Sequence, residues 1–133
     1  MNVRGRLTAA TLALLLPVAA SAAPTLPPAP AGLKIYAMGE MKMISDTKYM
    51  TLYTYDADKS GAPACYGSCA KNWPPLVASP DARPVGKFTI VKRSDGTRQW
   101  AYKGKPLYLS KRDENPGEMM GDGVGGKWHF AEP

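Results

Sequence analysis

The sequence predicts a mainly β fold, a small single domain of short antiparallel strands in two pseudo-repeated halves with at most one or two short helical turns. Three observations predict it. Short runs of β-branched and aromatic residues recur between Gly, Pro, Asp and Ser. An Asp95-Gly96 pair stands between two such runs, as a hairpin turn requires. A Tyr, Asp and Trp set also recurs at one fixed offset along the chain.

The chain opens with Arg4 and Arg6, an apolar run from Leu7 to Ala20, and the small residues Ala20-Ser21-Ala22. That order is the grammar of a cleavable signal peptide over residues 1–22. The apolar run is shorter than the roughly 20 residues a membrane-spanning helix needs. No later stretch is more apolar, so no transmembrane segment is expected after cleavage. Residues 23–32 (APTLPPAPAG) form a Pro/Ala-rich tether, and the β-rich domain is placed at 33–133.

Within the domain, strands are expected at Leu33–Met38, Met50–Tyr55, Phe88–Arg93, Arg98–Tyr102, Pro106–Leu109 and Lys127–Ala131. Asp95-Gly96 is read as a type I′ turn, whose two central residues both take positive φ. Lys103-Gly104 is the candidate for the next turn, giving a meander from Phe88 to Leu109. Helix is confined to a turn or two around Tyr66–Asn72, because Pro74-Pro75 stops it.

The recurrence has an offset of 55. Leu52, Tyr53, Asp58 and Trp73 return as Leu107, Tyr108, Asp113 and Trp128. Tyrosine and tryptophan are rare enough that chance is a poor explanation. Two half-domains about a pseudo-twofold axis would produce it, each tryptophan anchoring its own half. The plainer alternative is two hairpins that reuse the same core aromatics.

The motif Tyr53-Thr54-Tyr55-Asp56-Ala57-Asp58 resembles that of the secreted repeats and lipoproteins named for Y-x-[FWY]-x-x-D. Cys65-Tyr66-Gly67-Ser68-Cys69, Asn72-Trp73-Pro74-Pro75, Asp95-Gly96-Thr97, Pro106-Leu107-Tyr108 and Gly125-Gly126-Lys127-Trp128-His129 continue the likeness in order. The family is largely uncharacterised, so the resemblance implies an exported protein and little about activity. Two departures are visible. No cysteine follows the leader to carry a lipid, so the protein is expected to be periplasmic or secreted and not lipid-anchored. Ser110 also stands where the second motif would have an aromatic.

Cys65 and Cys69 are the only cysteines, and in an oxidising compartment a disulfide is the default. The alternatives are a soft-metal site and a redox dithiol. Copper would use Cys65, Cys69 and His129, the only histidine, with thioethers from Met41 and Met43 and also Met38. Thioredoxin-type chemistry wants Cys-x-x-Cys at a helix start, and covalent haem wants Cys-x-x-Cys-His; neither spacing is present. Asp56-x-Asp58-x-Ser60-Gly61 matches half of a calcium loop, but Gly67 replaces the closing glutamate. Residues 121–126 satisfy G-x-G-x-x-G yet run into a strand, not a helix, so they are read as a plain glycine loop. The acid pairs Asp56/Asp58 and Asp113/Glu114 sit in turns, and one histidine leaves little for a Ser-His-Asp triad.

The formal charge of +6 falls to +4 if Arg4 and Arg6 leave with the leader. Nine Lys and Arg fall between Arg83 and Arg112 against Asp95 alone, after which Asp113, Glu114, Glu118 and Asp122 reverse the sign. Such a stretch suits an anionic envelope partner or is a solvated sheet face. Nucleic acid is not expected outside the cell. The leading reading is an exported non-catalytic binding or structural module with no cofactor. A periplasmic copper-handling protein is second and a thiol–disulfide protein third. The sequence leaves the oligomeric state open.

Overall fold

The computed structural model describes residues 5–22, 25–59 and 61–133. Ahead of the domain, residues 5–22 form no regular element, and Leu7 and Leu15 are fully exposed. Arg4 of the leader and Ser60 of the calcium-like loop lie outside the described residues. No helix of the described residues is long and apolar enough to cross a membrane.

Among the described residues, seven short strands and one short helix follow: β1 (Leu33–Met38), β2 (Met41–Asp46), β3 (Tyr53–Tyr55), α1 (Ser68–Asn72), β4 (Phe88–Lys92), β5 (Arg98–Tyr102), β6 (Lys105–Pro106) and β7 (Trp128–Phe130). A 3-10 turn at Val124–Gly126 precedes β7. All pairings are antiparallel: β1 with β2, β3 with β7, and β4-β5-β6. The mainly β fold with two repeated halves is therefore what the chain adopts.

Two local expectations are corrected. Strand β2 was not expected, because Met41, Met43, Ser45 and Asp46 are poor β-formers by composition. It forms because Gly39-Glu40 turns the chain back on β1, and Met43, Ile44 and Ser45 are buried. The type I′ geometry falls not at Asp95-Gly96 but at Lys103-Gly104, where φ is 49° and 78°. At the first turn only Gly96 has positive φ, in a longer loop closed by Arg93 N–H donating to Thr97 O at 2.8 Å. Asp95 instead accepts the Thr97 N–H and hydroxyl at 2.9 and 2.6 Å.

The repeat is visible in the hydrogen bonds. Tyr53 N–H donates to Tyr108 O at 2.8 Å, and Tyr108 N–H returns to Tyr53 O at 2.9 Å. Ala131 N–H reaches Leu52 O at 2.7 Å, while Leu76 N–H reaches Leu107 O at 2.9 Å. Asp56 N–H donates to Lys127 O and Lys111 N–H to Asn72 O, both at 2.9 Å. Each bond is the image of its partner at the offset of 55, so a local pseudo-twofold passes between Tyr53 and Tyr108. Each half hands its tryptophan-bearing segment to the other half's motif strand.

The main core draws pseudo-equivalent residues from both halves, Leu33 with Phe88 and Leu52 with Leu107, joined by Ile44, Trp100 and Tyr102. Burying such side chains stabilises the fold by roughly 1.5–3 kcal/mol each. Neither half closes that core alone.

Candidate functional site at the junction of the two repeats

A second cluster, Tyr53, Cys65, Trp73, Tyr108 and Trp128, sits on the pseudo-twofold. Every motif tyrosine and tryptophan meets there, and the geometry gives each position of Y-x-[FWY]-x-x-D a task. The first tyrosine crosses to the other half's aspartate: Tyr53 donates its hydroxyl to Asp113 Oδ2 at 2.6 Å. Gly121 N–H donates to the same hydroxyl at 3.2 Å, and Met120 N–H holds Asp113 Oδ1 at 2.8 Å. Burial, then the Asp113 carboxylate, pushes the Tyr53 phenol well above its ordinary range.

The mirror pair is Tyr108 and Asp58, and it is looser. Asp58 Oδ1 accepts Ala64 N–H at 2.7 Å, the counterpart of the Met120 bond. Its Oδ2 and the Tyr108 hydroxyl are both buried and interact, but without the well-formed hydrogen bond that joins Tyr53 to Asp113. Tyr108 is pushed up by burial and by the Asp58 charge. Asp58 is itself raised by burial, partly offset by Ala64 N–H, Tyr108 and Arg93.

The middle aromatic of the motif stacks on the other half's tryptophan. Tyr55 lies 4.2 Å from Trp128 at 11°, and Trp128 lies 3.8 Å from Trp73 at 2°. Two nearly parallel neighbours place Tyr55 and Trp73 on opposite faces of Trp128, a three-ring stack. Tyr53 and Tyr108 meet Trp73 and Trp128 edge-on at 5.4 and 5.2 Å. Each tryptophan therefore binds the two halves together and does not anchor its own half separately. Gly121 is required beside this stack: a Cβ there would meet Trp73 at 2.8 Å and Tyr53 at 2.9 Å.

Sequence reading missed the polar floor under the first half. Arg93, counted there as part of a basic stretch, is buried. It donates to Gln99 Oε1 at 2.7 Å and to Cys65 O at 2.6 Å, with the Tyr66 ring 4.2 Å from its guanidinium carbon. Gln99 continues to Leu107 O at 2.8 Å. Arg98 is likewise occupied, donating to the carbonyls of Ser79, Pro80 and Ala82. No alternation marked it, because Gln99, Trp100, Ala101 and Tyr102 are all buried in β5.

Cys65 and Cys69 are joined in a disulfide, Cα atoms 5.3 Å apart, clasping the start of α1 against Trp73. His129 does not meet them; its Nε2 lies 2.9 Å from Asp56 Oδ2 across β3 and β7. Met43 is wholly buried in the hairpin, whereas Met41 and Met38 are exposed at its turn. Among the described residues no group of three or more His, Cys, Asp or Glu is placed to hold a metal ion. Asp56 and Asp58 face different partners, His129 and Ala64, and do not form a joint calcium cradle. Buried Asp113 and exposed Glu114 also part company. The glycine loop at 121–126 leads through the 3-10 turn into β7, as its sequence implies.

The family model described as "Secreted repeat of unknown function" matches twice, over residues 40–77 and 89–132, more than half of the chain. These two stretches are the halves that the pseudo-twofold relates. No curated protein and no solved structure matches the chain. With the motif Tyr, Asp and Trp in both copies, and Ser110 in place of the second middle aromatic, the chain belongs to this family of secreted repeats.

Proposed function

We propose that this secreted repeat is a non-catalytic binding module of the cell envelope, exported by cleavage after residue 22, whose partner is anionic. The motif Tyr, Trp and Asp residues are occupied in joining the halves, and the thiols are spent in a disulfide. Recognition then belongs to the rim. The observation that carries the reading is on the sheet β4-β5-β6. Lys87, Lys92, Lys103 and Lys105 are exposed there, and among the described residues none lies within 4.0 Å of a carboxylate. Lys103 and Lys105 also border a cleft of about 360 Å³ with His129, Tyr102 and Glu132. Cations left unneutralised over one sheet raise the local concentration of anionic ligands, an effect screened by salt. The copper alternative requires the Cys65–Cys69 bond to be reduced first, because an oxidised pair offers the metal no thiolate.

The test is retention on an immobilised sulfated polysaccharide at rising salt. The reading expects salt-sensitive binding that is lost when Lys87, Lys92, Lys103 and Lys105 are all changed to Gln. Equal retention of wild type and the fourfold variant would contradict it.

A further inference from the structure

The two repeats differ in chemistry on the outer face of the ribbon β3-β7. Thr54 and His129 stand opposite each other there, because alternation along each strand sends Tyr53, Tyr55 and Trp128 to the inner aromatic cluster. At the offset of 55 their images are Leu109 and Pro74, while Glu132 answers to Val77. One place is polar and its image apolar, although the same backbone pairing serves both. The packing of the repeat therefore does not ask for Thr54, His129 or Glu132, and their chemistry is free for recognition.

All three border the cleft of about 360 Å³, together with Lys103 and Lys105 from the β5–β6 turn. Lys103, Lys105, His129 and Glu132 are exposed and Thr54 is half-buried, so the lining is reachable from solvent. Two ammonium groups select an anionic group, whereas Glu132 repels a second one and accepts hydrogen bonds from hydroxyls. His129 adds another acceptor, since an Nε2–H that donates to Asp56 Oδ2 at 2.9 Å leaves Nδ1 free. The Thr54 hydroxyl both donates and accepts. Such a lining matches one carboxylate carried on a hydroxyl-rich body. The volume is near the low end of the roughly 300–1,000 Å³ range of ligand pockets, which suits a single sugar ring and not a length of polymer.

We propose that this cleft binds the terminal hexuronate residue of an acidic polysaccharide, its carboxylate held by Lys103 and Lys105 and its hydroxyls by Thr54, His129 and Glu132. The inference rests on the reading of an anionic envelope partner and gives that partner a chemistry. Lys103 N–H donates to Lys87 O at 3.0 Å, so a third lysine stands next to the cleft and the following sugar acid of the chain passes over it.

The probes are galacturonate, its uncharged methyl ester, inorganic sulfate and trigalacturonate, titrated into the disulfide-bonded protein and followed by the backbone amides of Lys103, Lys105 and His129 in NMR spectra. Saturable shifts with galacturonate are expected, and at least fivefold weaker binding of the ester and of sulfate. Lys103→Gln with Lys105→Gln should weaken galacturonate at least tenfold. Thr54→Val, which keeps a strand-forming residue in β3, should weaken it at least threefold. Lys87→Gln should leave galacturonate unchanged and weaken trigalacturonate at least threefold. Unchanged affinity in the double variant, equal binding of the ester or of sulfate, or exclusion of trigalacturonate would each overturn the proposal, and the ester and sulfate arms need no variant to fold. Retention on the sulfated polysaccharide reports on the whole sheet β4-β5-β6. If retention fails while galacturonate saturates the cleft, only the broader reading falls. If retention survives while galacturonate does not saturate, only this inference falls.

Discussion

Tyr53 of the first repeat gives its hydroxyl to Asp113 of the second at 2.6 Å, while the reverse pair, Tyr108 and Asp58, is buried and interacts without a well-formed hydrogen bond. The repeat is therefore symmetric in backbone and asymmetric in chemistry. One crossing contact is closed by a charge-assisted bond. The other is desolvated and shares its surroundings with buried Arg93.

The tryptophans should behave as a coupled pair. Trp73→Ala and Trp128→Ala are each expected to lower stability by about 3–5 kcal/mol. Because the rings stack face to face across the repeat boundary, the double variant should lose less than the sum by at least about 0.5 kcal/mol. Denaturant melts of the three variants measure this, and strict additivity would show that the stack is incidental.

Alkaline titration should separate the tyrosines. Tyr66 is held below its ordinary range, chiefly by hydrogen bonding to Ser94, so it should ionise first. Tyr53 and Tyr108 are raised above theirs by burial. For a phenol with a raised folded pKa, the stabilisation is complete below the unfolded value of 10.0 and is lost as pH climbs beyond it. Phenolate absorbance should therefore rise in two stages, the second coinciding with loss of near-UV circular dichroism.

Asp58 works in the opposite direction from an ordinary paired carboxylate. Its folded pKa is raised above 3.8, so the folded protein holds its proton more tightly than the unfolded chain. The ionised form costs stability at neutral pH, and that cost is relieved as pH falls through the raised folded value. Asp58→Asn keeps an acceptor for Ala64 N–H and should be close to neutral or stabilising at pH 7. Asp113→Asn replaces a carboxylate that accepts two hydrogen bonds and should cost about 1.5–3 kcal/mol. Thermal melts at pH 7 and pH 4 check the contrast, which should shrink at the lower pH.

Cys65–Cys69 closes a loop too short to restrict the unfolded chain much. Changing both to Ser should lower stability by about 2 kcal/mol or less. The same variant tests metal handling. Competition titration of reduced wild type, the double Ser variant and His129→Ala with Cu(I) should find equal, weak affinity, because His129 is engaged with Asp56 away from the thiols. Tight binding confined to reduced wild type would instead support the copper alternative.

Much of this was legible in the sequence. The offset that relates Tyr53, Asp58 and Trp73 to Tyr108, Asp113 and Trp128 foretold the pseudo-twofold, since rare aromatics are retained at fixed spacing only where packing uses them. It did not foretell that the contacts cross. Tyr53 reaching Asp113 rather than Asp58 depends on the strand exchange at Tyr53 and Tyr108, a long-range pairing with no local signature. Strand β2 was hidden for a related reason. Its residues are strand-forming only by their pairing with β1, although Leu33 standing 55 residues before Phe88 placed a second hairpin there. Arg93 was read as surface charge, as an arginine normally would be, because its carbonyl and amide partners come from Cys65 and Gln99.

The central claim is that the two repeats are one cooperative unit joined through the crossed motif. The most direct measurement is a double-mutant cycle between Tyr53→Phe and Asp113→Asn, with stability read from denaturant melts. The hydroxyl–carboxylate bond is buried and charge-assisted, so a coupling energy of about 1–3 kcal/mol is predicted, with a single transition in every variant. Additive effects, or melts that resolve into two transitions, would contradict it.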